Sequence, residues 1–132
     1  MDIFVDTSAL YALMDADDAN HVRARTAWEQ WLDQPIVFVT SNYVLLESIA
    51  LIQHRLGIQA VRETQEELIP VLRVHLTDAE LHMTAYRIVL AANQRDFSLV
   101  DATSVEWMRR LSIHSIFAFD HHFPDRGFEQ RP

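Results

Sequence analysis

The stretch Ile3-Phe4-Val5-Asp6-Thr7-Ser8 decides the fold. Three consecutive apolar residues without polar alternation read as a strand covered on both faces, the kind found in parallel sheets flanked by helices. Asp6 closes that strand, and a short helix over Ser8–Met14 follows directly. A carboxylate at the end of an apolar run is costly unless something compensates it, so Asp6 also marks a candidate site.

Working outward, Asp15-Ala16-Asp17-Asp18 reads as a turn and N-terminal cap for a helix at about 18–33. That helix sets Ala24, Ala27, Trp28, Trp31 and Leu32 on one stripe. Pro35 breaks it, and Ile36–Val39 forms a second buried strand. Thr40, Ser41 and Asn42 are all suitable caps for a helix to about Leu56, which Gly57 stops. A further helix runs to about Leu68 and ends near Pro70. Val71–Leu76 is a third strand. Thr77-Asp78-Ala79-Glu80 has the form of a capping box opening a helix to about Gln94. Ser98-Leu99-Val100-Asp101 opens another, to about Leu111. Ser115–Phe119 is a fourth strand, and Phe128-Glu129-Gln130 a short fifth. Strands alternating with helices predict an α/β domain over 1–132, with a parallel sheet and a site off the carboxyl ends of its strands.

Composition narrows the function. The 132 residues are 49% hydrophobic, enough for one domain with a real core. No apolar run reaches the roughly 18–20 residues of a membrane span, and Asp2 without a basic leader does not suit a secretory signal. The absence of cysteine rules out disulfides and thiolate metal sites and suits the cytoplasm. A formal net charge of −8 argues against gripping nucleic acid by bulk electrostatics, although bound divalent cations would reverse the local sign. All non-histidine basic residues are arginines, the better residue for bidentate phosphate contacts, though genomic codon bias is the plainer explanation for the absence of lysine. With only Gly57 and Gly127, phosphate-cradling glycine loops and a serine-hydrolase elbow are absent.

Four acids stand out: Asp6, Glu47, Asp101 and Asp120. Asp6 and Asp120 end apolar strands. Glu47 interrupts the apolar helical face of Tyr43, Val44 and Leu51, and Asp101 shares a face with Val105 and Met108. Each alone has a plainer reading: a turn acid for Asp6 and Asp120, a helix-margin acid for Glu47, and for Asp101 a capping-box acid in the first turn of its helix. Together they describe converging carboxylates without a basic partner, for which a divalent cation is the usual remedy.

Other polar residues read as solvated. Asp96 falls in a loop, Asp125 in a turn, and Arg23, Arg25, Arg55, Arg109 and Arg110 are scattered. His121-His122 abuts Asp120 and is either a surface pair or a contact to substrate or metal. The absence of cysteine and of paired helical histidines argues against zinc. Trp28 and Trp31 suit a core or subunit contact better than base stacking.

The segments Ile-Phe-Val-Asp6-Thr-Ser-Ala-Leu, Thr-Ser-Asn-Tyr-Val-Leu-Leu-Glu47, Asp-Phe-Ser-Leu-Val-Asp101-Ala-Thr-Ser and Phe-Ala-Phe-Asp120-His-His-Phe resemble the PIN domain, especially its VapC-type toxin branch, in order and spacing across essentially the whole chain. The resemblance implies a three-layer sandwich with a parallel sheet of about five strands. It implies a Mg²⁺ or Mn²⁺ site built from the four acids, endoribonuclease activity, a homodimer and a cognate antitoxin. Asp6 and Asp101 would be the principal ligands, with Glu47 and Asp120 completing the coordination or orienting the attacking water. Two alternatives stay open: a PIN-like binding module, and an RNA-processing nuclease outside a toxin–antitoxin pair. A phosphatase using Asp6 as nucleophile fits poorly, since Ser8 stands where a second aspartate is needed and no lysine could hold the phosphate.

Overall fold

Five strands form one wholly parallel sheet in the order β3-β2-β1-β4-β5: β1 (Asp2–Val5), β2 (Val37–Ser41), β3 (Leu72–His75), β4 (Ser115–Phe117) and β5 (Glu129–Arg131). Six α-helices flank it: α1 (Thr7–Met14), α2 (His21–Leu32), α3 (Asn42–Leu56), α4 (Ile58–Glu63), α5 (Ala79–Ala92) and α6 (Leu99–Leu111). The computed structural model describes residues 1–132. Ile3, Phe4 and Val5 point alternately to opposite faces, and all three are fully buried. Both faces of β1 are therefore covered, as the unalternating apolar run required.

One face can be followed side chain by side chain. Ile3 is level with Phe38 and Ser115, and Val5 with Phe117, so Phe38 and Phe117 share a face. The tryptophan stripe of α2 lies on them: Trp28 is 4.5 Å from Phe38, and Trp31 meets Phe117 edge-on at 5.0 Å between ring centroids. These tryptophans are core residues, 3% and 9% exposed.

The strand order reverses direction between β1 and β4. From β1 the chain winds outward to β2 and β3, then crosses back to β4 on the other side of β1. Open parallel sheets present their ligand crevice at such a switch, off the carboxyl ends of the strands.

Several boundaries differ from expectation. Helix α2 starts at His21 rather than residue 18, because Asp18 closes a turn instead: its Oδ1 accepts the Asn20 N–H at 2.8 Å and its carbonyl accepts the His21 N–H. Asn20, not the preceding acidic turn, stands at the helix start. Ser41 caps α3 by accepting the Val44 N–H at 3.3 Å. Helix α4 leaves α-geometry at Thr64–Leu68, a π-wound stretch, before Pro70 enters a 3₁₀ turn. The cap of α5 is Asp78, whose Oδ1 accepts the Leu81 N–H at 2.9 Å, so Thr77 and Glu80 form no capping box. Thr77 Oγ1 instead accepts the Trp107 indole N–H at 3.0 Å. Strand β4 stops at Phe117 because the Phe119 N–H leaves the ladder for the Ser8 hydroxyl.

Candidate active site

Asp6 is delivered by the β1–α1 turn. Its extended backbone (φ −93°, ψ 161°) ends the strand and caps the helix, and Oδ2 accepts the Ser8 N–H at 3.2 Å and the Ser8 hydroxyl at 2.7 Å. Its backbone N–H donates to the Phe117 carbonyl at 3.0 Å, which fixes the turn against β4. The Ser8 Oγ also accepts the Phe119 N–H at 3.0 Å. One hydroxyl thus ties Asp6 to the segment that leads into Asp120.

Asp120 lies in the bend after β4, half-buried, and its Oδ1 accepts the His122 N–H at 3.3 Å. Asp101 arrives on the first turn of α6. There it completes a capping box: its Oδ2 accepts the Ser98 N–H at 2.9 Å, and the Ser98 hydroxyl accepts the Asp101 N–H at 3.0 Å. The two readings of Asp101 from sequence, cap and site acid, therefore coexist in one side chain.

Ligand-capable oxygens of Asp6, Asp101 and Asp120 all lie within 4.8 Å of one another. Glu47, half-buried on α3, stands outside this trio but within reach of its charges. Burial pushes the Asp6 carboxyl well above the usual range, the Asp120 and Asp101 charges push it further, and the Ser8 hydrogen bonds pull it back. Burial also raises Asp101, as does the Asp120 charge, against the Ser98 hydrogen bonds and the nearby His122. Glu47 is raised by burial first and then by Asp101 and Asp120, while the Thr7 hydroxyl lowers it. None of the four acids is paired with an arginine; the one basic contact is His122 Nε2, 3.8 Å from Asp101 Oδ2.

Three carboxylates sharing a small volume, each accepting hydrogen bonds from neighbouring residues, form an acidic pocket with no arginine partner. The donor set is hard, so it fits Mg²⁺ or Mn²⁺ rather than a softer ion.

The PIN domain family profile matches residues 3–129. The chain belongs to the PIN domain family. Within it the chain is of the VapC type: it is 41% identical, over 98% of both chains, to the 23S rRNA-specific endonuclease VapC20 of Mycobacterium tuberculosis, in strain CDC 1551 / Oshkosh and equally in strain H37Rv. The crystal structure of M. tuberculosis VapC20, described as a sarcin-ricin loop cleaving toxin, superposes with a TM-score of 0.87 at 39% identity. That match covers 98% of this chain and 99% of that one. The five-stranded parallel PIN sheet with its flanking helices is thus the fold of this chain. No helix is long and apolar enough to cross a membrane.

Two contributors to this PIN site were only half visible in the sequence. The hydroxyl of Ser8, beside Asp6 in sequence, binds that carboxylate and also Phe119, 111 positions away. His122 could be read as a surface residue, yet its side chain is only 12% exposed and faces Asp101.

Proposed function

We propose that this chain is a metal-dependent endoribonuclease, the toxin of a toxin–antitoxin pair, acting as a single PIN domain over residues 1–132. The observation that carries this reading is the convergence of Asp6, Asp101 and Asp120 at the switch between β1 and β4, in a chain 41% identical to a 23S rRNA-specific endonuclease. Given that kinship and the coverage of both chains, 23S rRNA, at the loop named for VapC20, is the first substrate to test.

Asp6, Asp101 and Asp120 would hold the Mg²⁺ or Mn²⁺, with Glu47 adjoining. When bound, such an ion neutralises the carboxylates, polarises a phosphodiester and acidifies water. The chain supplies the rest. Ser8 and Ser98 fix the two carboxylates they contact, so their oxygens are aimed before substrate arrives. Glu47, its carboxyl raised by burial and lying outside the trio, would orient the attacking water and accept its proton.

The partners follow from the same reading: RNA, a cognate antitoxin covering the site, and a second copy of the chain, all in the cytoplasm. An apolar stripe supports the second copy. Met83, Tyr86 and Leu90 recur along α5 at 46%, 47% and 61% exposure, and Leu46 on α3 adds to the exposed apolar surface at 73%.

The test is cleavage of bacterial ribosomes and of total RNA by antitoxin-free protein with Mg²⁺ or Mn²⁺. EDTA and Asp6→Asn serve as controls. A discrete 23S fragment lost in both controls supports the proposal. Intact RNA throughout, from folded protein, overturns it.

A further inference from the structure

The loop after β4 and the loop before α6 build a second polar recess beside the carboxylate trio. Gln94, Asp96, His121, His122, Asp125 and Arg126 line a cavity of ≈ 230 Å³ with no hydrophobic residue in its wall. Within it, Asp96, His121 and His122 bring a carboxylate oxygen and two imidazole nitrogens to within 4.8 Å of one another. His121 Nε2 is 3.6 Å from Asp96 Oδ2. Donors around one ion with bonds of about 2.0–2.1 Å sit about 3.0–3.4 Å apart, so this pair needs only a small adjustment. His121 and Asp96, with side chains 81% and 67% exposed, are free to make it.

The third ligand carries its own signature. His122 turns one ring nitrogen to Asp101, Nε2 to Oδ2 at 3.8 Å. With Nε2 on the Asp101 side, Nδ1 of His122 would be the ligand, the arrangement in which a metal-bound histidine keeps its second nitrogen toward a carboxylate. The ring is also held from the side by Phe97, edge-on at 5.9 Å. The single arginine in the recess forms no ion pair with Asp96: the Arg126 guanidinium lies 3.7 Å above the Phe97 ring.

We propose that Asp96, His121 and His122 form a second cation site, selective for imidazole-preferring transition metals of the Zn²⁺, Co²⁺ and Ni²⁺ class. It is distinct from the hard-ion carboxylate site and connected to it through His122. Two nitrogens and one oxygen favour such ions, whereas Mg²⁺ favours an all-oxygen set. Three protein ligands leave a coordination position open to solvent or to an incoming ligand. No helical His pair encodes this site; two loops 25 residues apart in sequence are brought together by the fold.

The experiment titrates Co²⁺ into tag-free protein in excess Mg²⁺, following the visible absorption of bound Co²⁺. One equivalent per chain is expected, displaced by Zn²⁺. His121→Ala and Asp96→Asn should each weaken binding by about tenfold or more, with unchanged circular dichroism and thermal midpoint because both side chains are exposed. Absence of bound Co²⁺ overturns the proposal. So does binding that survives either substitution, which would put the ion among Asp6, Asp101 and Asp120. Neither outcome depends on RNA cleavage, so the proposed nuclease activity stands or falls separately.

Discussion

Ser8 and Phe119, 111 positions apart, are joined by a hydrogen bond of 3.0 Å from the Phe119 N–H to the Ser8 hydroxyl. The same hydroxyl gives its proton to Asp6 at 2.7 Å. This side chain therefore links the two turns, beside the β1–β4 ladder, that carry the carboxylates following β1 and β4. Ser8→Ala should cut the cleavage rate by about ten- to a hundredfold through misplacement of Asp6 and Asp120. It should cost only about 1 kcal/mol of stability for the lost hydrogen bonds. A drop in kcat at unchanged KM, with a folded circular dichroism spectrum, is the expected result.

Asp6→Asn separates charge from geometry. The amide oxygen can still cap α1 through Ser8 N–H, while the buried charge disappears. Cleavage should fall below detection. The metal-free variant should nonetheless melt higher than the parent at neutral pH, by several degrees if relief of the buried charge is of the order of 1 kcal/mol. Differential scanning calorimetry in EDTA checks this, and a lower melting point would contradict the burial argument.

The pH dependence has a definite sign. Asp6, Asp101 and Glu47 all titrate above their usual values of 3.8, 3.8 and 4.5 in the folded chain, so the native state binds more protons than the unfolded one. Their contribution favours folding below those usual values and is lost as pH rises through the raised ones. In EDTA, the stability advantage of Asp6→Asn over the parent should therefore be near zero at acid pH and grow toward neutrality. A constant difference across that range would show that the folded Asp6 carboxyl is not raised.

Metal binding should be linked to stability through the same acids. Saturating Mg²⁺ or Mn²⁺ should raise the melting point of the parent, by about 2.7 kcal/mol of stabilisation at a hundred times the dissociation constant. Asp6→Asn should lose most of that response. An equal response in both would place the ion elsewhere.

The double role of Asp101 can be split by comparing two substitutions. Asp101→Asn keeps an oxygen for the Ser98 N–H and should hold stability while abolishing cleavage. Asp101→Ala removes the acceptor too, and should cost about 1 kcal/mol more through the broken capping box. Equal melting points would mean that the reciprocal cap contributes nothing.

Strand and helix identities were legible wherever the local pattern was strong. The fully buried Ile3-Phe4-Val5 run, the Trp28–Trp31 stripe and the Ser98–Asp101 capping box all appear where the residues place them. The Thr77–Glu80 box failed because the helix is capped one residue later, by Asp78 accepting the Leu81 N–H, and Trp107 of α6 claims the Thr77 hydroxyl. The four acids were visible as carboxylates in apolar surroundings, but their mutual spacing was not. That spacing arises from the β1–β4 adjacency, which brings Asp120 beside Asp6, and it leaves Glu47 outside the trio. The contacts of Ser8 with Phe119 and of Asp96 with His121 lie between distant segments, and no local periodicity encodes either.

The position of β4 beside β1 also has a temporal side. The earliest strand waits for a partner encoded more than a hundred residues later, and the acidic pocket has no third wall until Asp120 has been translated and β4 has docked. Such long-range pairing forms late and slowly compared with helix formation. A growing chain consequently carries Asp6 and Asp101 before the pocket they share with Asp120 can close.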